Sequence, residues 1–123
     1  MAEFNFILLY VQDHRASAAH YAALLGLPVV DQKDDISILP LRDGVMLGLW
    51  ARDHVVPASA SAPGAHEIAV AVPDAATVEG LHADWRARGV GIAQPPTVMS
   101  FGTTFVALDP DGHRLRVYAP NPA

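Results

Sequence analysis

The side chains of this 123-residue chain that are equipped to hold a ligand are aromatic and apolar rather than nucleophilic. Trp50 stands two residues from Gly48, Met99 and Phe101 sit in the run Met99-Ser100-Phe101-Gly102, and Phe105 follows in an alternating segment. A tryptophan and phenylalanines gathered on one surface suit planar aromatic guests, through offset stacking and apolar burial. Gly48 has no side chain and so leaves room for something flat beside Trp50. No cysteine is present, which removes thiolate nucleophiles, thiolate metal ligands and disulfides. The six histidines contain no pair at the i, i+4 spacing of a helical metal site. His20 and His82 fall within helices, His14 at a cap, His54 in a linker and His113 in a turn, positions that suit solvated surface roles. His66 adjoins Glu67 but points to the opposite sheet face, so the two do not chelate together. Ser17, His20 and Asp13 share one helical segment without a nucleophile elbow; Asp13 reads as a helix cap and Ser17 as a first-turn residue.

The elements that position these residues are written twice. Asp43 to Ala51 realigns with Asp111 to Ala119, and Phe6 to Val11 with Glu67 to Val72. Such a duplication implies two similar modules whose equivalent positions converge where they meet. The first module reads as a strand over 4 to 11, a helix from the Asp13 cap to Leu25 closed by Gly26, strands at 28 to 32 and 36 to 41, and a strand ending at Ala51. Residues 53–65, rich in Pro, Ala, Ser and Gly, have the composition of a linker. The second module repeats the order: a strand over 67 to 72, a helix from Asp74 to about Arg88 stopped by Gly89, and strands near 90 to 93, 103 to 108 and 114 to 118. The fold class is α+β, two tandem βαβββ modules in a single domain, with module 1 about 1–52 and module 2 about 66–123.

Alternation assigns the strand faces, because successive side chains point to opposite sides of a sheet. One face is uniformly aliphatic: Ile7, Leu9, Val11, Val45, Leu47, Leu49, Ile68, Val70, Val72, Leu115 and Val117. It suits packing beneath the helices. The other carries Phe6, Leu8, Tyr10, Met46, Gly48, Trp50, Glu67, Arg114, Arg116 and Tyr118. This mixture of aromatic, tiny and charged groups suits a ligand cavity, to which Met99, Phe101 and Phe105 add. With 51% hydrophobic residues and 17% charged, the chain can bury roughly two-thirds of its unfolded surface. A net charge of -5 with scattered Lys and Arg gives no footprint for nucleic acid. The N-terminus has no basic n-region, and the apolar run Phe6 to Val11 is too short for a membrane span, so a cytoplasmic protein is expected.

Two segments carry a family resemblance, Leu9-Tyr10-Val11-Gln12-Asp13 and Asp109-Pro110-Asp111-Gly112-His113-Arg114-Leu115-Arg116-Val117. With the paired modules, they resemble the glyoxalase, bleomycin-resistance and ring-cleaving dioxygenase group, the vicinal oxygen chelate superfamily. The resemblance implies a curved mixed sheet around a cavity, with the helices on its outer face. It also implies a divalent metal held at positions that here are Phe6, Gly48, Glu67 and Arg116. A phenyl ring, a missing side chain and a guanidinium are not ligands, and Glu67 alone cannot hold an ion against water, so no metal or other cofactor is expected. Glu67 and Arg116, meeting across the module interface, would instead form an ion pair or anchor a ligand's polar group. The stretches Met46-Leu47-Gly48-Leu49-Trp50 and Phe101-Gly102-Thr103-Thr104-Phe105 through Arg116 are similar to metal-free phenazine-antibiotic-resistance proteins. That likeness implies non-catalytic sequestration of a planar apolar small molecule by a homodimer, with residues 53–65 a candidate dimer contact. The alternatives are a lyase or isomerase, metal-dependent or using Glu67 as general base, and a dimerising module without a ligand.

Overall fold

Each of the two helices begins where an aspartate caps it. In the computed structural model, which describes residues 1–122, Asp13 Oδ1 accepts from Ala16 N at 3.1 Å and Asp74 Oδ1 from Thr77 N at 2.8 Å. These bonds satisfy backbone donors that have no partner within the first helical turn. Helix α1 then runs His14–Leu25 and α2 runs Ala75–Ala87. Gly26 ends α1 with φ 66°, the left-handed region open to glycine without a Cβ penalty.

The strands around α1 are β1 (Phe6–Val11), β2 (Asp31–Gln32), β3 (Ile36–Arg42) and β4 (Val45–Ala51), hydrogen-bonded in the order β1-β4-β3-β2. Around α2 the same pattern recurs with β5 (Glu67–Ala71), β6 (Gly91–Met99), β7 (Gly102–Leu108) and β8 (Arg114–Pro120), in the order β5-β8-β7-β6. Each module pairs its first and last strands in parallel and the rest antiparallel, giving two mixed four-stranded sheets and the βαβββ order read from the sequence.

Two strands depart from their predicted lengths. The strand predicted over 28 to 32 shrinks to Asp31–Gln32, since Pro28 has no N–H to give a ladder. The strand predicted over 90 to 93 instead continues to Met99, through Pro95 and Pro96. It is the outer strand of its sheet, where a proline whose nitrogen faces outward forfeits no ladder bond, and the register shift between Gln94 and Thr97 sets both prolines in a bulge.

The chain divides into one compact unit spanning Met1–Ser61 and a second from Ala62 onward. Much of the predicted linker therefore belongs to the first unit. Arg52–His54 form a short 3-10 turn, Val55 is buried, and Arg52 Nη1 donates to the Ser61 carbonyl at 3.2 Å, tying the stretch back.

In the first unit Val11, Leu39, Leu47 and Leu49 are buried with Ala18 and Tyr21 of α1. In the second, Ile68, Leu115 and Val117 are buried with Val78 and Trp85 of α2. Both cores draw on the aliphatic strand parity, leaving the opposite face of each sheet without a helix. Among the described residues no helix is long and apolar enough to cross a membrane.

Candidate functional site

On the helix-free face of the first unit, the β1–β4 register sets Phe6 beside Met46, Leu8 beside Gly48 and Tyr10 beside Trp50. Ile36 and Ile38 of β3 join them, opposite Trp50 and Gly48. Phe6 and Leu8 remain 37% and 45% exposed. Trp50 is fixed from two sides: Nε1 donates to Asp35 Oδ2 at 3.3 Å, and its ring meets Tyr10 edge-to-face with centroids 6.1 Å apart. The room expected over Gly48 is already filled. A Cβ there would lie 2.6 Å from Leu8 Cδ2 and 3.4 Å from both Ile36 Cδ1 and Phe6 Cε1. The missing side chain lets its neighbours close over the backbone, so a flat guest would rest on those side chains and not in a slot at Gly48.

On the second unit's sheet, the face assignment of Phe105 is corrected. Phe105 pairs with Val117, is fully buried, and packs edge-to-face on Trp85 at 5.4 Å and His82 at 5.5 Å. It is a core residue beneath α2. The residues facing away from the helix are its neighbours Thr104 and Val106, opposite Tyr118 and Arg116. Phe105-Val106-Ala107-Leu108 is a continuous apolar run, whose periodicity does not reveal which side chain points inward. Phe101 and Met99 do stay accessible, at 43% and 41%. Asn121 ties the turn between them to the last strand, its N donating to Phe101 O at 3.0 Å and Nδ2 to Ser100 O at 2.9 Å. Phe101 meets Tyr118 edge-to-face at 6.1 Å.

Glu67 and Arg116 do meet, but within one module and not across two. The parallel β5–β8 register places Glu67 beside Arg114 and Ala69 beside Arg116. Arg116 grips the carboxylate with both edges of its fork, Nε to Oε1 at 2.8 Å and Nη2 to Oε2 at 3.0 Å. Its Nη1 donates to Gln94 Oε1 at 3.0 Å and Thr104 Oγ1 at 3.2 Å. Thr104 in turn donates to the Val117 carbonyl at 2.8 Å. As a whole residue Glu67 is exposed, yet its side chain retains only 29% of its accessibility and that of Arg116 16%. The hydrogen bonds from Arg116 hold the Glu67 carboxyl below its ordinary range, overcoming the opposite push of partial burial, and the charges of Arg116 and Arg114 act in the same direction. Arg114 Nε lies 3.0 Å from Glu67 Oε2 but is not aimed along a hydrogen bond, and this atom is buried without a partner. Gln94 and Thr104 lie outside the expected site residues, and Arg114 is expected on this face but not as a partner of Glu67. The parity that Arg114 shares with Arg116 was the available signal for it.

Several histidines are less solvated than expected. His14 is buried, with Nδ1 2.7 Å from Ser37 Oγ and Nε2 3.1 Å from the Asp34 carbonyl. The carbonyl can only accept, so Nε2 donates to it. Gln32 Nε2 also donates to Ser37 Oγ, at 2.9 Å. Ser37 is fully buried, so this serine-histidine pair is a packing device and not a nucleophile. His20 and His82 are half-buried, their rings edge-on to Tyr21 and Phe105.

The metal positions that the resemblance implies do not suit a divalent ion in either unit: Phe6 and Gly48 offer no lone pair, and the Glu67 carboxylate has both oxygens engaged by Arg116. Among the described residues no three His, Asp or Glu side chains gather in a group that could hold a metal.

The family model of the Glyoxalase/Bleomycin resistance protein/Dioxygenase superfamily matches residues 3–117. Among solved structures, the solution structure of protein ATC0852 from Agrobacterium tumefaciens is 43% identical, with 99% of this chain and 100% of that chain covered and a TM-score of 0.89. A glyoxalase-related enzyme from Fulvimarina pelagi is 23% identical, covering 97% of this chain and 88% of that one, with a TM-score of 0.84. Lactoylglutathione lyase from Agrobacterium tumefaciens is 19% identical, covering 97% and 94%, with a TM-score of 0.78. The last two share the fold. No functionally curated protein matches the chain.

Proposed function

We propose, for a chain that belongs to the glyoxalase/bleomycin resistance/dioxygenase superfamily, that it binds and sequesters a planar, largely apolar small molecule of the phenazine-antibiotic type without changing it. The observation that carries this reading is the state of the two helix-free faces. Phe6, Leu8, Met99 and Phe101 are each more than a third exposed there, and Tyr10, Trp50 and Tyr118 stand on the same faces, half-buried. Aromatic and apolar side chains left open on a rigid sheet supply contact area at low entropic cost.

Glu67 fits the rival role of general base poorly. A base needs a free lone pair and a pKa near the working pH. Both Glu67 oxygens accept from Arg116, and the carboxyl is moved away from neutrality. The proposal includes a homodimer in the cytoplasm, in which the exposed apolar strand faces would be partly covered.

Tryptophan emission titrated with phenazine and related planar antibiotics tests the reading. Saturable quenching, weakened in Phe6→Ala on the same sheet face as Trp50, is expected, and a silent signal across the panel would overturn it. Sedimentation equilibrium tests the dimer.

A further inference from the structure

One short turn ties the aromatic face of the first unit to the helix on the other side of its sheet. Successive residues of β3 look to opposite sides: Ile36 pairs with Trp50 on the open face, and the buried Ser37 pairs with Leu49 on the face beneath α1. The turn that leads into β3, Lys33-Asp34-Asp35, is therefore within reach of both. Its last residue aims a carboxylate at the indole, Trp50 Nε1 donating to Asp35 Oδ2 at 3.3 Å. Its carbonyls are held from α1. Arg15 Nη2 donates to the Lys33 carbonyl at 3.2 Å, and His14 Nε2 to the Asp34 carbonyl at 3.1 Å.

Two peptide planes decide where Asp35 points. A residue has only two soft backbone torsions, one on each side of its Cα, so fixing the peptides before and after it fixes the direction of its Cβ. The peptide before Asp35 is the one whose oxygen His14 holds. The peptide after it is held by β4, Ala51 N donating to the Asp35 carbonyl at 2.7 Å. The imidazole is gripped at its other nitrogen too: His14 is buried, and Nδ1 lies 2.7 Å from Ser37 Oγ, which also accepts from Gln32 Nε2 at 2.9 Å. Arg15 is exposed, where water can replace its bond. Releasing the Asp34 carbonyl from His14 therefore frees one of the two peptides, and the carboxylate loses its aim at the indole.

We infer that His14 is a positioning residue for the Trp50 face: from behind the sheet it sets the Lys33-Asp34-Asp35 turn, and through Asp35 it fixes the indole in the orientation a planar guest meets. The inference rests on the planar-ligand reading above and adds how the tryptophan of that face is held ready. Holding an aromatic side chain in one rotamer before the guest arrives removes an ordering cost from binding. His14, buried beneath the sheet, makes no contact with the guest itself.

Nitrogen-15 NMR of the full chain reads the indole N–H of Trp50 directly, alongside that of Trp85. Asp35→Ala should move the Trp50 indole proton upfield, since its acceptor is gone. His14→Asn should move it the same way, because asparagine keeps a partner for Ser37 but falls short of the Asp34 carbonyl. His14→Gln, whose amide nitrogen reaches the position of Nε2, should restore the wild-type resonance. Phenazine should bind about fivefold more weakly to Asp35→Ala and to His14→Asn. The double variant should bind it no more weakly than either, since two residues acting through one indole are not additive. In the wild type, saturation with phenazine should shift the His14 ring resonances from the opposite face of the sheet, a readout that needs no variant to fold. A Trp50 indole proton unmoved in His14→Asn, losses that add in the double variant, or His14 resonances unmoved by bound phenazine would overturn the inference while leaving planar-ligand binding intact. Phenazine that does not bind the wild type would overturn the planar-ligand reading, with the indole resonances still deciding the role of His14.

Discussion

Replacing Glu67 with glutamine would leave Arg114 and Arg116 adjacent with no anion between them. Breaking a fully buried ion pair by removing one partner costs about 3–5 kcal/mol, whereas exposed pairs contribute about 0.2–1 kcal/mol. With side-chain accessibilities of 29% and 16%, the Glu67–Arg116 pair lies between these limits. The two-pronged grip and the Gln94 and Thr104 contacts favour the upper half, while solvent screening of Glu67 discounts it. The expected loss is about 2 kcal/mol, or about 8 °C in Tm for a domain of this size. Urea and thermal denaturation of wild type and Glu67→Gln at neutral pH measure it. Glu67 titrates below its ordinary range when folded and at that ordinary value when unfolded. Its stabilisation is therefore complete above that ordinary value and is lost as pH falls through the folded one. On acidification the wild type should lose stability that the variant does not have to lose, so the gap between them narrows. A variant within about 0.5 kcal/mol of wild type at neutral pH, or a gap that widens in acid, would refute the reasoning.

Phe105→Ala should cost about 3–5 kcal/mol by opening a cavity under Trp85, while Phe101→Ala, on an accessible turn, should stay within about 1 kcal/mol; denaturant midpoints compare the two. Gly48→Ala should lower stability by about 1 kcal/mol, because Leu8, Ile36 and Phe6 must yield to the new methyl, and an unchanged midpoint would reopen a slot there. Gly102→Ala should fail to fold or unfold well below the wild type in a thermal melt, since φ is 152° and the added Cβ would collide with the Ala119 carbonyl. Asp13→Ala should cost about 1 kcal/mol through loss of the α1 cap, read as a lower urea midpoint.

The module order was legible because duplication and turn chemistry agree. The internal alignment of Phe6 with Glu67 and of Met46 with Arg114 reappears as register: Phe6 pairs with Met46, and Glu67 with Arg114. Alternation placed Tyr118 and Arg116 on the correct face because β8 alternates cleanly, and Trp50 because the buried Leu47 and Leu49 fix the opposite parity of β4. It misplaced Phe105 because β7 is apolar on both sides. The filled space at Gly48 was illegible because it depends on how the Leu8 and Ile36 side chains fold over the strand, not on residue 48. His14 was misread because nothing local announces Ser37 as its partner, 23 residues away. Glu67 and Arg116 are legible as partners and both lie within the expected bounds of module 2; what the parallel pairing of β5 and β8 adds is that they meet on one sheet and not across an interface.

The most direct test of a binding function incubates the purified protein with phenazine-1-carboxylate, measures the heat of titration, and then recovers the ligand for mass spectrometry. Saturable binding with the ligand recovered unaltered is the expected result. Conversion of the ligand, or no saturable heat with any planar aromatic acid or amide, would contradict it.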